Sequence, residues 1–232
     1  MKKYIIILLL SSSCAYPVTD EVSDDDIIKL SVPQNKTIPA DGNSIIELTV
    51  QIPSNADDTK RTITFNTSEG AFLGSNSKTE QQKADILGKA ITQLRSIQSP
   101  AIAYISAETN GFKRTDRIEF VRAFPEKIIV ETGTVDYKIK DANNPTITTK
   151  LLRSIGKTSS NTEVALKAFD GSGVNEIGIF KNITTSNLNG EVTANLVITT
   201  TSYRGKCIVR AIVNDSNLKT EVKGESTINV VD

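Results

Sequence analysis

Apolar and polar residues alternate along most of the chain after Ile27, and this period of two limits what the chain can fold into. Residues 45–52 show it best, because the four even positions are aliphatic while positions 47, 49 and 51 are Glu, Thr and Gln. Successive side chains of a β-strand point to opposite faces, so such a segment buries one face and exposes the other. The pattern therefore predicts half-buried strands in antiparallel sheets.

Five further segments show strand patterns and are separated by glycines and turn residues: 28–32, 62–66, 89–96, 101–107 and 117–122. The Asp41-Gly42-Asn43 run supplies turn chemistry between the first two strands. The one helix-like window, residues 79–89, is interpreted as a loop with an edge strand because Gly88 interrupts it. Several short strands at this spacing predict an all-β sandwich or barrel.

Four of these segments carry a family resemblance. They are ADGNS at 40–44, TITFNTSEG at 62–70, GKAITQL at 88–94 and AIAYISA at 101–107. Together they resemble the bacterial Ig-like domain of the invasin/intimin type (Big-1), although Pro100 stands where that family usually has glycine. The resemblance covers residues 27–122 and implies an Ig-like sandwich with an adhesin-like or cell-surface role.

The second half of the chain repeats the end of this pattern. Residues 189–196 parallel 87–94, and residues 205–211 parallel 99–107. We therefore predict two tandem Ig-like antiparallel β-sandwich domains, the first Big-1-like at 27–123 and the second at 124–232. The segment between them, 121–127, contains Pro125 and neither Gly nor Ser, which predicts a stiff joint.

The first 14 residues look like a secretion signal. Lys2 and Lys3 precede a short apolar run at 4–10, which is far too short to span a membrane as a helix. Ser11-Ser12-Ser13-Cys14 then resembles the lipobox of bacterial lipoproteins, with leucine at position 10 rather than 11. The resemblance implies a signal peptide at 1–13, lipidation of Cys14 and an outer-membrane, surface-exposed location. An ordinary signal peptide cleaved nearby is the alternative.

Residues 14–26 contain five acidic residues and no basic residue. Acidic segments poor in apolar residues do not form a core, so this one is predicted to be a solvated tether. It also resembles the acidic export signal of some surface lipoproteins. The two interpretations are compatible, and the sequence leaves open which leaflet the protein faces.

Composition argues against catalysis and against nucleic acid. The chain has no His and no Trp, which removes Ser-His-Asp and Cys-His arrangements and histidine-ligated zinc. It has 27 basic and 27 acidic residues, whereas nucleic-acid binders are normally basic. Lipidation of Cys14 would leave Cys207 alone, so no disulfide is expected, and Cys207 is predicted to be a buried strand residue. We predict no enzyme activity, no cofactor and no metal.

Ligand contacts are expected on exposed tyrosines or on end loops. Tyr104 is predicted to point outward, Tyr16, Tyr137 and Tyr203 are further solvent-facing candidates, and 170–174 and 199–205 are the candidate end loops. The predicted function is a non-catalytic, lipid-anchored cell-envelope protein that displays Ig-like modules for adhesion or surface structure, with a protein or glycan ligand. The alternatives are a glycan-binding accessory lipoprotein of a polysaccharide-uptake system and a periplasmic scaffold.

Overall fold

A computed structural model describes residues 27–139, 144–215 and 219–232. The predicted signal peptide, Cys14, the acidic tether and Tyr16 lie outside the described residues. We call residues 27–123 the first module and residues 124–232 the second module. No helix in the described part of the chain is long and apolar enough to span a membrane.

The first module is a sandwich of two sheets. Its strands are β1 Lys29–Ser31, β2 Thr37–Ala40, β3 Ile45–Gln51, β4 Thr62–Thr67, β5 Ala71–Phe72, β6 Thr79–Lys83, β7 Lys89–Arg95, β8 Ala101–Thr109 and β9 Phe112–Arg122, with a 3-10 turn at Asp58–Lys60. One sheet has the order β1-β3-β7-β5 and the other β2-β9-β8-β4-β6. The edge strand expected within 79–89 is β6, at the edge of the five-stranded sheet.

The apolar residues of the alternating strands fill the core of the first module, as expected. Leu48 and Val50 of β3 are completely buried, and Phe65, Phe72 and Phe120 close the space between the sheets. The rings of Phe65 and Phe72 pack with their centroids 6.1 Å apart. The aromatic side chains contribute large buried apolar areas, which stabilise the two sheets against each other.

The second module forms one continuous eight-stranded sheet that curls into a sandwich. Its strands are β10 Lys127–Glu131, β11 Asp136–Lys138, β12 Thr146–Leu152, β13 Ala165–Phe169, β14 Glu176–Lys181, β15 Glu191–Ile198, β16 Gly205–Asp215 and β17 Thr220–Val231, in the order β10-β12-β15-β14-β13-β16-β17-β11. A Cβ on Gly224 would lie 2.5 Å from the carbonyl oxygen of Ile128, so only glycine lets β17 approach β10 this closely.

Both modules add a short parallel strand to an otherwise antiparallel sheet. β2 pairs in parallel with β9, and β11 pairs in parallel with β17. The two predicted antiparallel sandwiches thus each carry one parallel strand pair at a sheet edge. The prediction that Tyr137 faces solvent is wrong. In β11, Tyr137 alternates with the exposed Asp136 and Lys138, so its side chain points inward and is 5% exposed.

The internal repeat appears as a shared hydrogen-bonded loop. Gly88 and Gly190 both have positive φ, +82° and +75°. The amide of Ile52 donates to the Gly88 carbonyl at 2.9 Å, and the amide of Leu151 donates to the Gly190 carbonyl at 2.8 Å. The loop before β7 and the loop before β15 are therefore equivalent elements of the two modules.

Candidate functional site

The joint between the modules is built on one buried hydroxyl. Ser159, in the loop between β12 and β13, is fully buried against the end of the first module. Its Oγ donates to the Ala40 carbonyl at 2.7 Å and accepts from the Ala123 amide at 2.9 Å. The Ser159 amide donates back to the Ala123 carbonyl at 3.0 Å. One residue of the second module thus satisfies backbone groups at the ends of β2 and β9.

Gln98 and Ser99, in the loop between β7 and β8, extend this joint. The Gln98 side-chain amide donates to the carbonyls of Thr158 and Leu188, both at 2.9 Å. The Gln98 carbonyl accepts from the Ser160 amide at 2.8 Å, and the hydroxyls of Ser99 and Ser160 lie 2.7 Å apart. Backbone partners on both sides restrict rotation between the modules far more than exposed side-chain pairs do.

Asp41 anchors the first module's side of the joint. Its carboxylate is 2% exposed and accepts from the amides of Asn43 and Ser44 at 2.8 and 2.6 Å. Burial alone would raise the pKa of Asp41, but the amides of Ser44 and Asn43 and the hydroxyls of Ser44 and Ser96 outweigh it and lower the pKa below 3.8. The Asp41 carbonyl accepts from the Lys157 amide at 3.0 Å, which ties this turn to the second module.

The predicted end loops of the second module lie together, at the end opposite the joint. They follow β13 and β15, which both run away from the joint. The Gly171 amide donates to the Tyr203 hydroxyl at 3.0 Å, and that hydroxyl donates to the Lys206 carbonyl at 2.5 Å. Tyr203 is partly buried and thus holds the two loops together rather than standing free.

Asp170 organises the first of these loops. The hydroxyl of Ser172 and the side-chain amide of Asn175 lower the pKa of Asp170 to about 2. Val174 at the tip is 75% exposed. On the neighbouring loop, Arg204 pairs with Asp232 at 2.7 Å. These contacts pre-order the distal loops, which lowers the entropy cost of binding a partner there.

An exposed sheet face is the second candidate surface. Tyr104 of β8 is 64% exposed while its neighbours Ala103 and Ile105 are buried, as the alternation predicts. Ile102, two residues earlier in β8, is 45% exposed. Arg117 of the neighbouring strand β9 is the residue paired with Tyr104. This face offers one aromatic ring beside one aliphatic and one cationic side chain.

Within residues 27–139, 144–215 and 219–232, no three His, Cys, Asp or Glu side chains cluster as a metal site requires. Cys207 lies on the inward face of β16, fully buried as predicted, and burial raises the pKa of its thiol to about 11. A thiol with so high a pKa is a poor nucleophile.

Sequence patterns predicted the exposed Tyr104, the distal loops and a stiff joint at 121–127, but missed the contacts of Ser159 and Gln98 that build the joint. The Thr158-Ser159-Ser160 run was a signal, since hydroxyl-rich stretches mark loops that bind backbone groups. Its partners lie far away in sequence, and Ser159 and Ala40 are 119 residues apart. Periodicity, which is local, does not reveal such contacts.

No protein-family model matches the chain, and no curated protein matches it either. Solved structures do. Invasin, a bacterial integrin-binding protein, aligns with a TM-score of 0.61 and 20% identity over 88% of this chain and 39% of its own. The adhesin InvE of Yersinia pseudotuberculosis aligns with a TM-score of 0.57 and 15% identity over 90% of this chain and 60% of its own. The chain thus spans about two fifths of invasin, and the likeness establishes a tandem Ig-like β-sandwich fold.

Proposed function

We propose that this chain is a non-catalytic, lipid-anchored cell-envelope protein that presents two Ig-like modules for adhesion or surface structure. The observation that carries the proposal is the joint, where Ser159 and Gln98 link the modules through backbone hydrogen bonds. Such a joint makes the pair a stiff arm, and stiffness is useful where loops must be held away from a membrane. Invasin and InvE, whose folds are similar, are named as adhesins or integrin-binding proteins.

The distal loops are the proposed contact surface of this arm. They lie at the far end from Ile27, and Tyr203 and Asp170 hold them in one conformation. With Cys14 acylated, the same end would stand farthest from the bilayer. The β-sandwich fold commonly places binding on such end loops.

Protease shaving of intact cells tests the location. We compare the wild-type chain with Cys14→Ala, which removes the lipid attachment site. Loss of the protein from shaved wild-type cells, with retention of Cys14→Ala, supports surface display and makes cell-adhesion assays the next step. Protection of the wild type, with membrane association lost on mutation, supports the anchor but favours the periplasmic scaffold over adhesion.

Glycan binding is the second candidate function, and the exposed ring of Tyr104 favours it. Saturable binding on a glycan array that is lost in Tyr104→Ala and kept in Tyr104→Phe would support this function. Because Tyr104 is 64% exposed, neither variant should lower the unfolding temperature measurably. An array without saturable binding would leave the distal loops as the preferred surface.

A further inference from the structure

The loop before β7 and the loop before β15 have the same internal hydrogen bonds. In the first module, Asp85 Oδ1 accepts from the amides of Leu87 and Lys89 at 2.9 and 2.8 Å. In the second module, Asn187 Oδ1 accepts from the amides of Asn189 and Glu191 at 2.8 and 3.0 Å. The two loops are therefore the same structural element, and their different surroundings can be compared directly.

The second module's copy is hydrogen-bonded to the first module through its backbone, while the Leu188 side chain at its tip is 64% exposed. The Leu188 carbonyl at its tip accepts from Gln98 of the first module at 2.9 Å and from Lys157 at 3.2 Å. The first module's copy lies at the end of that module away from the joint. Its tip residues Ile86 and Leu87 are 83% and 67% exposed.

This tip is unusual among the described residues. Among the large apolar side chains that are exposed in the described residues, only Ile86 and Leu87 are adjacent in sequence. In the second module, polar Asn189 takes the place of Leu87. Two adjacent aliphatic side chains held out by a rigid loop are costly in water, and a contiguous exposed apolar patch marks an interaction site.

The rest of this end combines apolar and polar residues and carries no strong net charge. A cavity of about 290 Å³ beside the loop is lined by the apolar Ile27, Ile52, Pro53, Ala56 and Phe112 and by the polar Asn55, Lys60, Thr109 and Asn110. Leu87 is tied to its rim, since Gln51 Nε2 donates to the carbonyls of Leu87 and Ile52 at 2.7 and 2.9 Å. The nearby charges have both signs, and Lys83 pairs with Asp58 at 2.7 Å. A neutral apolar partner fits this end better than a charged one.

We propose that Ile86 and Leu87 insert into the interface of the bilayer that holds the acylated Cys14, so that the arm stands on this end. The inference rests on the proposed lipid anchor. Cys14 precedes Ile27 by 13 residues, and a chain of that length reaches at most about 45 Å, so Ile27, at this end of the first module, would lie within that distance of the membrane. Lipid chains combined with a second apolar contact hold a protein more firmly than the chains alone.

A fluorescence quenching experiment tests the insertion. The full lipidated chain is reconstituted in neutral phosphatidylcholine vesicles that contain brominated lipid, with an environment-sensitive fluorophore at Lys89→Cys. Buried Cys207 does not compete for the label. We expect quenching about twofold or more above that of a probe at Val174→Cys, at the distal end. Ile86→Ser with Leu87→Ser should remove the excess, whereas the matched Leu188→Ser in the second module should leave it unchanged.

Two results would overturn the inference in distinguishable ways. If the protein floats with the vesicles but both probes are quenched equally, or if the serine pair leaves the quenching unchanged, the lipid anchor stands and the insertion is wrong. A second copy of the chain or the chain's own tether would then cover the tip. If the wild-type chain does not float with the vesicles, the anchor fails and the insertion falls with it.

Discussion

The two modules carry the same loop at their N-terminal ends, but among the described residues only the second module's copy is hydrogen-bonded to the other module. At Asn187–Gly190, the Leu188 carbonyl accepts from the Gln98 side-chain amide, and the Leu188 side chain is 64% exposed. Where it stands at the free end, at Asp85–Gly88, its tip presents Ile86 and Leu87. One loop structure therefore forms part of the joint through its backbone in the second module, whereas in the first module it presents two adjacent aliphatic side chains.

Alanine substitutions at Gly88 and Gly190, one in each copy of the loop, should have the largest effects on stability. A Cβ on Gly88 would overlap the carbonyl oxygen of Ile52, and on Gly190 it would lie 2.7 Å from that of Leu151. Both glycines also have positive φ, which strains an alanine. We therefore expect Gly88→Ala and Gly190→Ala to lower the free energy of unfolding by about 3 and about 2 kcal/mol respectively. Gly111→Ala has positive φ but open space, so it should cost only about 1 kcal/mol.

Native-state hydrogen exchange assigns each loss to a module. Gly88→Ala should lower protection of the Leu48 amide in the first core, and Gly190→Ala that of the Val209 amide in the second. Equal costs for all three glycine variants would show that backbone strain, rather than the close approach to the neighbouring strand, sets the requirement for glycine.

Ser159→Ala removes the hydroxyl at the centre of the joint. The Ala40 carbonyl and the Ala123 amide would then be buried without that partner, and we expect a loss of about 2 kcal/mol in denaturant unfolding. Exposed Ser154 in the same loop provides the matched control, because Ser154→Ala should change stability by less than about 0.5 kcal/mol. Similar effects of the two variants would contradict the role given to Ser159.

Thr149→Val should make the second module more like the first. Thr149 is fully buried, and its hydroxyl has no hydrogen-bond partner in the described structure. The equivalent position in β3 is Val50, which is also fully buried. Replacing the hydroxyl with a methyl group of similar size should stabilise the second module by about 1 kcal/mol in thermal or urea unfolding. A destabilised Thr149→Val would mean that the hydroxyl has a partner after all.

Gln98→Ala should destabilise the contact between the Asn187–Gly190 loop and the first module by about 1 kcal/mol, since the carbonyls of Thr158 and Leu188 lose an amide donor. Gln93→Ala, at an exposed position of β7, is the control. Amide exchange at Asn189 should rise in Gln98→Ala only. If it rises equally in both variants, the side-chain amide of Gln98 does not hold this loop.

Acid should weaken the joint through Asp41. Its pKa is lowered in the folded state, so its contribution to stability is present above the ordinary value of 3.8 and is lost as the pH falls through the lower folded value. Unfolding curves between pH 6 and pH 2 should show this loss in the wild type and a smaller one in Asp41→Asn. Identical pH dependence in the two proteins would show that Asp41 does not cause the loss of stability in acid.

Local pattern predicted most of the fold and little of the joint. Alternation found β3, β4, β7 and β8, because each buries one face. It missed β2 and β11, which are four and three residues long and pair at sheet edges. It also missed the contacts of Ser159 and Gln98, because which backbone groups meet across two modules depends on the assembled fold.

The stiffness of the arm is the central claim, and a distance measurement tests it most directly. Nitroxide labels at Leu87→Cys and Val174→Cys, in a chain with Cys14→Ser, report the separation between the two ends by pulsed electron paramagnetic resonance. The locked joint predicts one narrow distance distribution, which broadens in Ser159→Ala. A broad distribution in the chain with Ser159 intact would contradict the claim, because the modules would then move independently.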